Sequence, residues 1–310
     1  MAAPAIRPVL QTARTTRHAR AGPSPAGVAS AVGDATAFVV LHLACVPVVL
    51  VGVSAQALAV AAATYSLRCF GVAAGFHRYF SHRSFRAGRP VQFVLALLGT
   101  LALQRGVLWW AATHRRHHAV ADTPDDVHSP HHHGFLYSHC GWFLDPANQP
   151  TEHRRVHDLE RFPELVWLDR WKLLPVVAFG AGLWTLGPTT FVWGFCVSTV
   201  VLWHATLATG SFSHRLGGYR NFPTDDDSRN NRVIAVALLG EGWHNNHHHS
   251  PRSARHGVRR SELDPIGGTL RLLERLHLVA DLLPAPHPRP APIPAPDLDR
   301  HVAVPAEPGA

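Results

Sequence analysis

The residues best suited to chemistry here are histidines, 24 of them in 310 residues, and their spacing is patterned. His114-Arg115-Arg116-His117-His118 places imidazoles at i, i+3 and i+4. At about 100° per residue these three share one face of a helix. The pattern returns at His244-Asn245-Asn246-His247-His248, and a looser pair, His77 and His82, precedes both. Neutral imidazole is the commonest protein metal ligand. One zinc or iron ion takes roughly four to six ligands, so these eight imidazoles predict more than one metal ion.

The clusters lie far apart in the chain, so other elements must gather them. Residues 35–67 contain no Asp, Glu, Lys or Arg. A spanning helix needs about 20 residues. Residues 35–53 and 56–76 fit two spans joined near Ser54, with Arg68 snorkelling towards the cytoplasmic end. His77 then falls at the cytosolic mouth. His82 comes five residues later and cannot share an α-helical face with His77, so the helix is expected to end or bend near Tyr79. Residues 91–103 are apolar but too short to span, which predicts an interfacial helix. A span there would put His82 and His114 on opposite sides of a membrane. Residues 173–213 again lack Asp, Glu, Lys and Arg. They fit two more helices, 173–185 extended by its flanks and 189–209, turning at Gly187-Pro188. The expected fold is therefore all-α: four transmembrane helices in two hairpins, with a cytosolic helical cap holding a histidine-rich di-metal site.

Composition agrees with a membrane protein. The formal net charge is +8, and Lys172 is the only lysine. The basic residues alternate with apolar stretches, which points to a cytoplasmic membrane face rather than to nucleic acid. The bias to Arg, Ala, Pro and Gly suggests a GC-rich bacterial genome and a bacterial cell membrane. Residues 1–34 are expected to form a disordered cytosolic tail, 35–283 the integral-membrane domain and 284–310 a proline-rich disordered tail. Residues 267–283 have leucines at helical spacing with arginines between them, as in an amphipathic surface helix. Cys45, Cys69, Cys140 and Cys196 show no paired spacing and are expected to be reduced.

The order HxxxxH, HxxHH, HxxHH around two apolar hairpins resembles the membrane fatty acyl desaturases of the stearoyl-CoA Δ9 class. The resemblance extends over residues 60–260, through Gly71 to His82, Asp122 to His128, Gly134-Phe135, Ser138-His139, Gly141-Trp142 and Asp227 to His244. It implies a ninth ligand, His214 in Ser211-Phe212-Ser213-His214. It also implies that His77, His82, His114, His117, His118, His214, His244, His247 and His248 hold two iron ions. Two positions depart from it. Gly210 stands where the family usually has an asparagine that reaches a metal through water. Ala112-Thr113 stands where animal members carry Arg-Asp, whose arginine helps hold coenzyme A.

Removing hydrogen from an unactivated methylene is beyond any side-chain base and needs redox metal and O₂. The expected reaction puts a cis double bond at C9–C10 of a saturated fatty acyl thioester, with O₂ as co-substrate. The acyl head would lie near Arg86, Arg105 or Arg116. No haem, flavin or Cys₄ iron–sulfur motif is present, so electrons must come from outside. A ferredoxin, or a cytochrome b5-like protein with its reductase, would suit the basic face. Glu241, Asp122, Asp126 and Asp227 are expected to orient imidazole N–H groups. Gln104 and Trp110 are expected to line the substrate tunnel, and the resemblance implies that Tyr65 closes it. His42 and His204 are read as hydrogen-bonded structural histidines, and His131, His132, His133, His249 and His256 as bystanders. The alternatives are a histidine-box hydroxylase, a desaturase of lipid-linked acyl chains, and a metal-binding or metal-transport membrane protein.

Overall fold

The computed structural model describes residues 23–287. Of the expected tails, 1–34 and 284–310, residues 1–22 and 288–310 lie outside the described residues. The first helix, Pro25–Leu43, starts ten residues before the expected span. Ser24 caps it by accepting the Gly27 N–H at 3.1 Å, and Pro25 occupies the first turn, where no donor is needed. Residues 25–34 thus belong to a helix and not to a tail. After a tight turn the helical path continues to Val51, giving a mostly apolar stretch of 27 residues from Pro25.

The second long helix, Ala55–Ser81, is capped by Ser54 and overturns one expectation. Arg68 does not snorkel. It is wholly buried and donates to Thr199 Oγ1 and Ser198 Oγ, each at 2.5 Å. The helix ends at Ser81, two residues past Tyr79, yet His82 still comes to the same side as His77. From Gly71 to Ser81 it winds as a π-helix, whose bonds run i to i+5. The His82 N–H donates to the His77 carbonyl at 3.2 Å, and the Ser81 hydroxyl donates to the Phe76 carbonyl at 2.7 Å. The wider turn brings residues five apart to the same side, which an α-helix does not. Gly71 and Gly75 let the 12-residue helix Arg89–Thr100 lie against this segment. A Cβ at Gly71 would come 2.2 Å from the Leu98 carbonyl carbon.

A hairpin follows later in the chain. Leu173–Thr185 has 13 residues and covers roughly 20 Å, short of the ~30 Å hydrocarbon layer. It turns at Gly187, whose φ of +109° suits glycine, into the 24-residue helix Pro188–Ser211. Among the described residues, three helices are long and apolar enough to cross a membrane by length and composition, and this fourth apolar helix is shorter.

The remaining elements carry the other histidine clusters. The helix Val107–Val120 carries the second histidine cluster and His244–His249 the third. The expected amphipathic helix covers only Pro265–Arg275 and buries Ile266 and Leu270 in the hydrophobic core. A two-residue strand, Val279–Ala280, then pairs antiparallel with Arg86–Ala87, a small departure from an all-α fold. All four cysteines are free, as expected.

Candidate metal centre

The nine histidines singled out in the sequence come together in two adjoining sets. His77, His82, His114, His118 and His247 form one, and His117, His214, His244 and His248 the other. Within each set the ligand atoms lie within 4.8 Å of one another. The HxxHH spacing serves both sets at once: His114 and His118 point to the first and His117 to the second.

The spacer residues explain why these helices sit as they do. Arg115 faces away from the imidazoles and donates to Asp158 at 2.7 Å and to the Phe80 carbonyl at 2.5 Å. It thereby ties the second cluster to the first. Arg116 pairs with Glu152 at 3.2 Å. In the third cluster the Asn246 carboxamide accepts from Asn221 at 2.8 Å and Asn230 at 2.9 Å, and donates to Glu262 at 2.9 Å. Asn245 accepts the backbone N–H groups of Asn221 and Phe222. The asparagines are therefore buried clamps.

Four imidazoles use their outward nitrogen as a donor to a carboxylate. His77 Nδ1 bonds Glu241, His117 Nδ1 bonds Asp126 at 3.0 Å, and His214 Nδ1 bonds Asp122 at 2.7 Å. His248 Nδ1 bonds Asp226 at 2.7 Å. A neutral imidazole has one N–H, so each inward Nε2 presents a lone pair. The Nε2 atoms of His117 and His248 are buried without a hydrogen-bond partner. Inward lone pairs converging from several rings suit a cation, and this donor set fits a pair of metal ions. Burial, then the neighbouring imidazoles, push His82, His114, His118, His244 and His247 well below the usual histidine range, so they stay neutral. Burial lowers His248 to about 4 despite Asp226, and His128 to about 3. Burial alone would raise the Asp122, Asp126 and Asp226 carboxyls. Their histidine partners, mainly His214, His117 and His248, outweigh it and hold them well below the carboxylate range. Asp122 sits at a φ of +56°, a costly conformation for a non-glycine residue that clusters at functional sites.

Glu241, Asp122 and Asp126 each accept from an imidazole of the two sets, that of His77, His214 and His117 respectively, although Glu241 stands one turn before His244 in the chain. Asp227 does not: it lies 3.1 Å from His131, and its neighbour Asp226 backs the metal-site histidine. The run Asp225-Asp226-Asp227 gave no spacing signal to choose among them. Sequence reasoning also missed the buried Arg78, whose Nη2 donates to Glu241 at 2.6 Å and to Asp264 at 3.0 Å. His256 is not a bystander. It is buried 4.6 Å, centroid to centroid, from His247, and neither ring nitrogen has a hydrogen-bond partner. Nor are His131, His132 and His133 simply solvated. Their Nε2 atoms reach the carbonyls of His214, Asp122 and Asp126 at 2.9, 3.0 and 2.8 Å, clamping the loop that carries the carboxylates. His249 stays exposed and stacks on Phe222. His42 and His204 are hydrogen-bonded to each other at 2.9 Å, as expected.

A cavity of about 410 Å³ runs up to His77, His114, His117 and His244. Its wall is mostly apolar and includes Cys69, Val72, Trp109, Leu202 and Leu238, together with Gln104 and Trp110. The Trp110 ring lies 5.0 Å from that of His114. Tyr65 is not part of the wall. It packs just beyond, against the cluster containing Cys69, Val72, Leu202 and Leu238, and donates to the Ala237 carbonyl at 2.6 Å.

Two histidine sets beside an apolar cavity, reached by long apolar helices, match the family implied by the sequence. The fatty acid desaturase family model matches residues 47–271. This chain belongs to the fatty acid desaturase family. Its relatives include a protein named sn-2 palmitoyl-lipid 9-desaturase from Nostoc sp. (strain 36), 38% identical over 222 residues, which are 70% of this chain and 77% of the relative. Acyl-CoA 5-desaturase AL21 from Anemone leveillei is 37% identical over 217 residues, 69% of this chain and 67% of the relative. Delta-9 acyl-lipid desaturase 1 from Arabidopsis thaliana is 34% identical over 230 residues, 73% and 75% of the two chains. The desaturase is accordingly an oxidoreductase of lipid metabolism and a membrane protein, and its histidine sets are suited to metal.

Proposed function

We propose that this enzyme introduces a cis double bond at C9–C10 of a saturated fatty acyl chain at a di-iron site. The observation that carries the reading is the convergence of nine imidazoles, four of them backed by carboxylates, on an apolar cavity. Iron, with O₂ and two electrons from an external donor, supplies the oxidising power that no side chain has. His77, His82, His114, His118 and His247 would hold one ion, and His117, His214, His244 and His248 the other. Glu241, Asp122, Asp126 and Asp226 fix the ring orientations through Nδ1–H. The apolar wall takes the acyl chain and keeps water out, with Trp110 beside His114. Each methylene buried contributes roughly 0.8 kcal/mol, so cavity length selects chain length. Tyr65, tied to Ala237 beyond Cys69, is the stop at the far end.

Resemblance to the acyl-CoA enzymes alone implies coenzyme A as carrier. A glycerolipid ester is favoured by two observations. Ala112-Thr113 offers no guanidinium for the coenzyme, and Arg105 and Arg116 are already paired with Asp34 and Glu152. Exposed Trp167 and Trp171, beside the cavity-lining Lys172, suit a bilayer interface from which a lipid could enter. The arrangement also suits four spans, with Leu173–Thr185 completed by its flanks, and a cap and termini in the bacterial cytoplasm. A ferredoxin, or a cytochrome b5-like protein with its reductase, would deliver the electrons to that face.

Expression in a host lacking unsaturated fatty acids tests the reading. Mass spectrometry should find a C9–C10 alkene first in membrane lipids. An alkene appearing first in acyl-CoA would restore the thioester. A hydroxylated product without an alkene would overturn desaturation, and a metal-bound protein with no lipid product would favour a transport role.

A further inference from the structure

The two histidine sets are unequal, five imidazoles against four. Beside the smaller set lies a group of buried polar atoms that no part of the mechanism uses. The His128 ring sits 4.4 Å, centroid to centroid, from His117. His128 Nδ1 is buried and makes no hydrogen bond, and the nearest Asp126 oxygen, at 3.7 Å, is too far for one. Thr209 Oγ1 and Ser138 Oγ are also buried without a hydrogen-bond partner. All three residues line the cavity that ends on His117 and His244. Gly210 makes room for the ring: a Cβ there would come 3.3 Å from His128 Nδ1. Folded proteins leave few buried polar atoms unpaired, and those that remain call for an ion or a water. A neutral imidazole carries a lone pair on one of its two nitrogens.

We propose that His128 supports the four-histidine centre indirectly, its ring nitrogen accepting from one water held beside Gly210 that would itself be the ligand. The inference rests on the reading that His117, His214, His244 and His248 hold a metal. Direct ligation does not fit. His128 groups with His117 and Asp126, outside the set whose nitrogens lie within 4.8 Å of one another. A water would bridge that gap: Thr209 Oγ1, Ser138 Oγ and the ring nitrogen are unpartnered atoms of the same cavity wall, and a buried water needs two to four such partners. Asp126 then orients the whole corner, accepting from His117 Nδ1 at 3.0 Å and from the His128 backbone N–H at 3.2 Å.

The test is iron affinity of the purified full-length protein, measured by chelator competition, with X-ray absorption at the iron edge. Wild type should hold two irons. His128→Ala should weaken one of them about 10- to 100-fold, the usual effect of losing a supporting group at a metal, and leave the other unchanged. Gly210→Leu keeps every histidine but fills the space beside the ring, and should weaken the same iron. It answers the question even if His128→Ala fails to fold. Two irons held with unchanged affinity in Gly210→Leu, or in a folded His128→Ala, would overturn the role of His128 alone. Fewer than two irons in wild type, with His248→Ala without effect, would overturn the four-histidine metal site and this inference with it.

Discussion

Glu241 is the residue whose loss should be felt in both stability and metal binding. It lies within a fully buried charge network. Arg78 donates to Glu241 through Nε at 3.0 Å and Nη2 at 2.6 Å, to Asp264 at 3.1 and 3.0 Å, and to the Ala254 carbonyl at 2.8 Å. The other Glu241 oxygen takes the His77 Nδ1–H. Glu241→Gln keeps the shape and removes the charge. Breaking a buried pair costs about 3–5 kcal/mol. Asp264 still compensates Arg78, so the lower end, about 3 kcal/mol, is expected. At roughly 2–4 °C per kcal/mol for a domain of this size, the melting temperature should fall by about 6–12 °C. The amide can no longer pull on the His77 proton, so iron in the five-histidine set should bind about 10- to 100-fold more weakly. The iron of the four-histidine set should be unaffected, because its rings lean on Asp122, Asp126 and Asp226. Detergent-solubilised protein followed by intrinsic fluorescence on heating, with iron titrated against a chelator, reads both effects. A melting shift under about 2 °C together with unchanged affinity for both irons would refute the network argument.

Three other outcomes follow from the same geometry. Gly71→Ala would place a methyl 2.2 Å from the Leu98 carbonyl carbon, where only backbone could give way, so folded protein should not accumulate by size-exclusion chromatography. Tyr65→Ala should let longer acyl chains react, seen as a longer product in lipid analysis; unchanged chain-length preference would remove Tyr65 as the stop. The burial-depressed imidazoles make stability pH-dependent. A histidine whose folded pKa lies below its unfolded 6.5 contributes fully above that value, and its contribution is lost as pH falls below it. Protons compete with metal for the same nitrogens, so iron release should rise as pH drops from 7 to about 5, measured by dialysis and metal analysis.

Much of this was legible in the chain. The i, i+3, i+4 spacing of His114, His117 and His118, repeated at His244, is helix geometry written in residue order. It needed only a helix to put three imidazoles on one face. The charge-free stretches are a matter of composition, and Gly187-Pro188 and Ser54 mark turns by local preference. These features depend on neighbours within a few residues, so sequence alone determined them. What depends on contacts between elements distant in the chain was decided only in three dimensions. The π-wound Gly71–Ser81 segment packs against the Arg89–Thr100 helix, and it brings His77 and His82 to one side although no α-helical face would. The start of the first helix at Pro25 is secured by Ser30 and Asp34 meeting Gln149 and Arg105. Which aspartate of 225–227 supports His248, and why His256 and His128 are buried, are also long-range facts. Periodicity reports what a residue's own helix does with it. Only the packed fold brings a distant carboxylate within reach of an imidazole, because burial and approach are properties of the surroundings and not of the string.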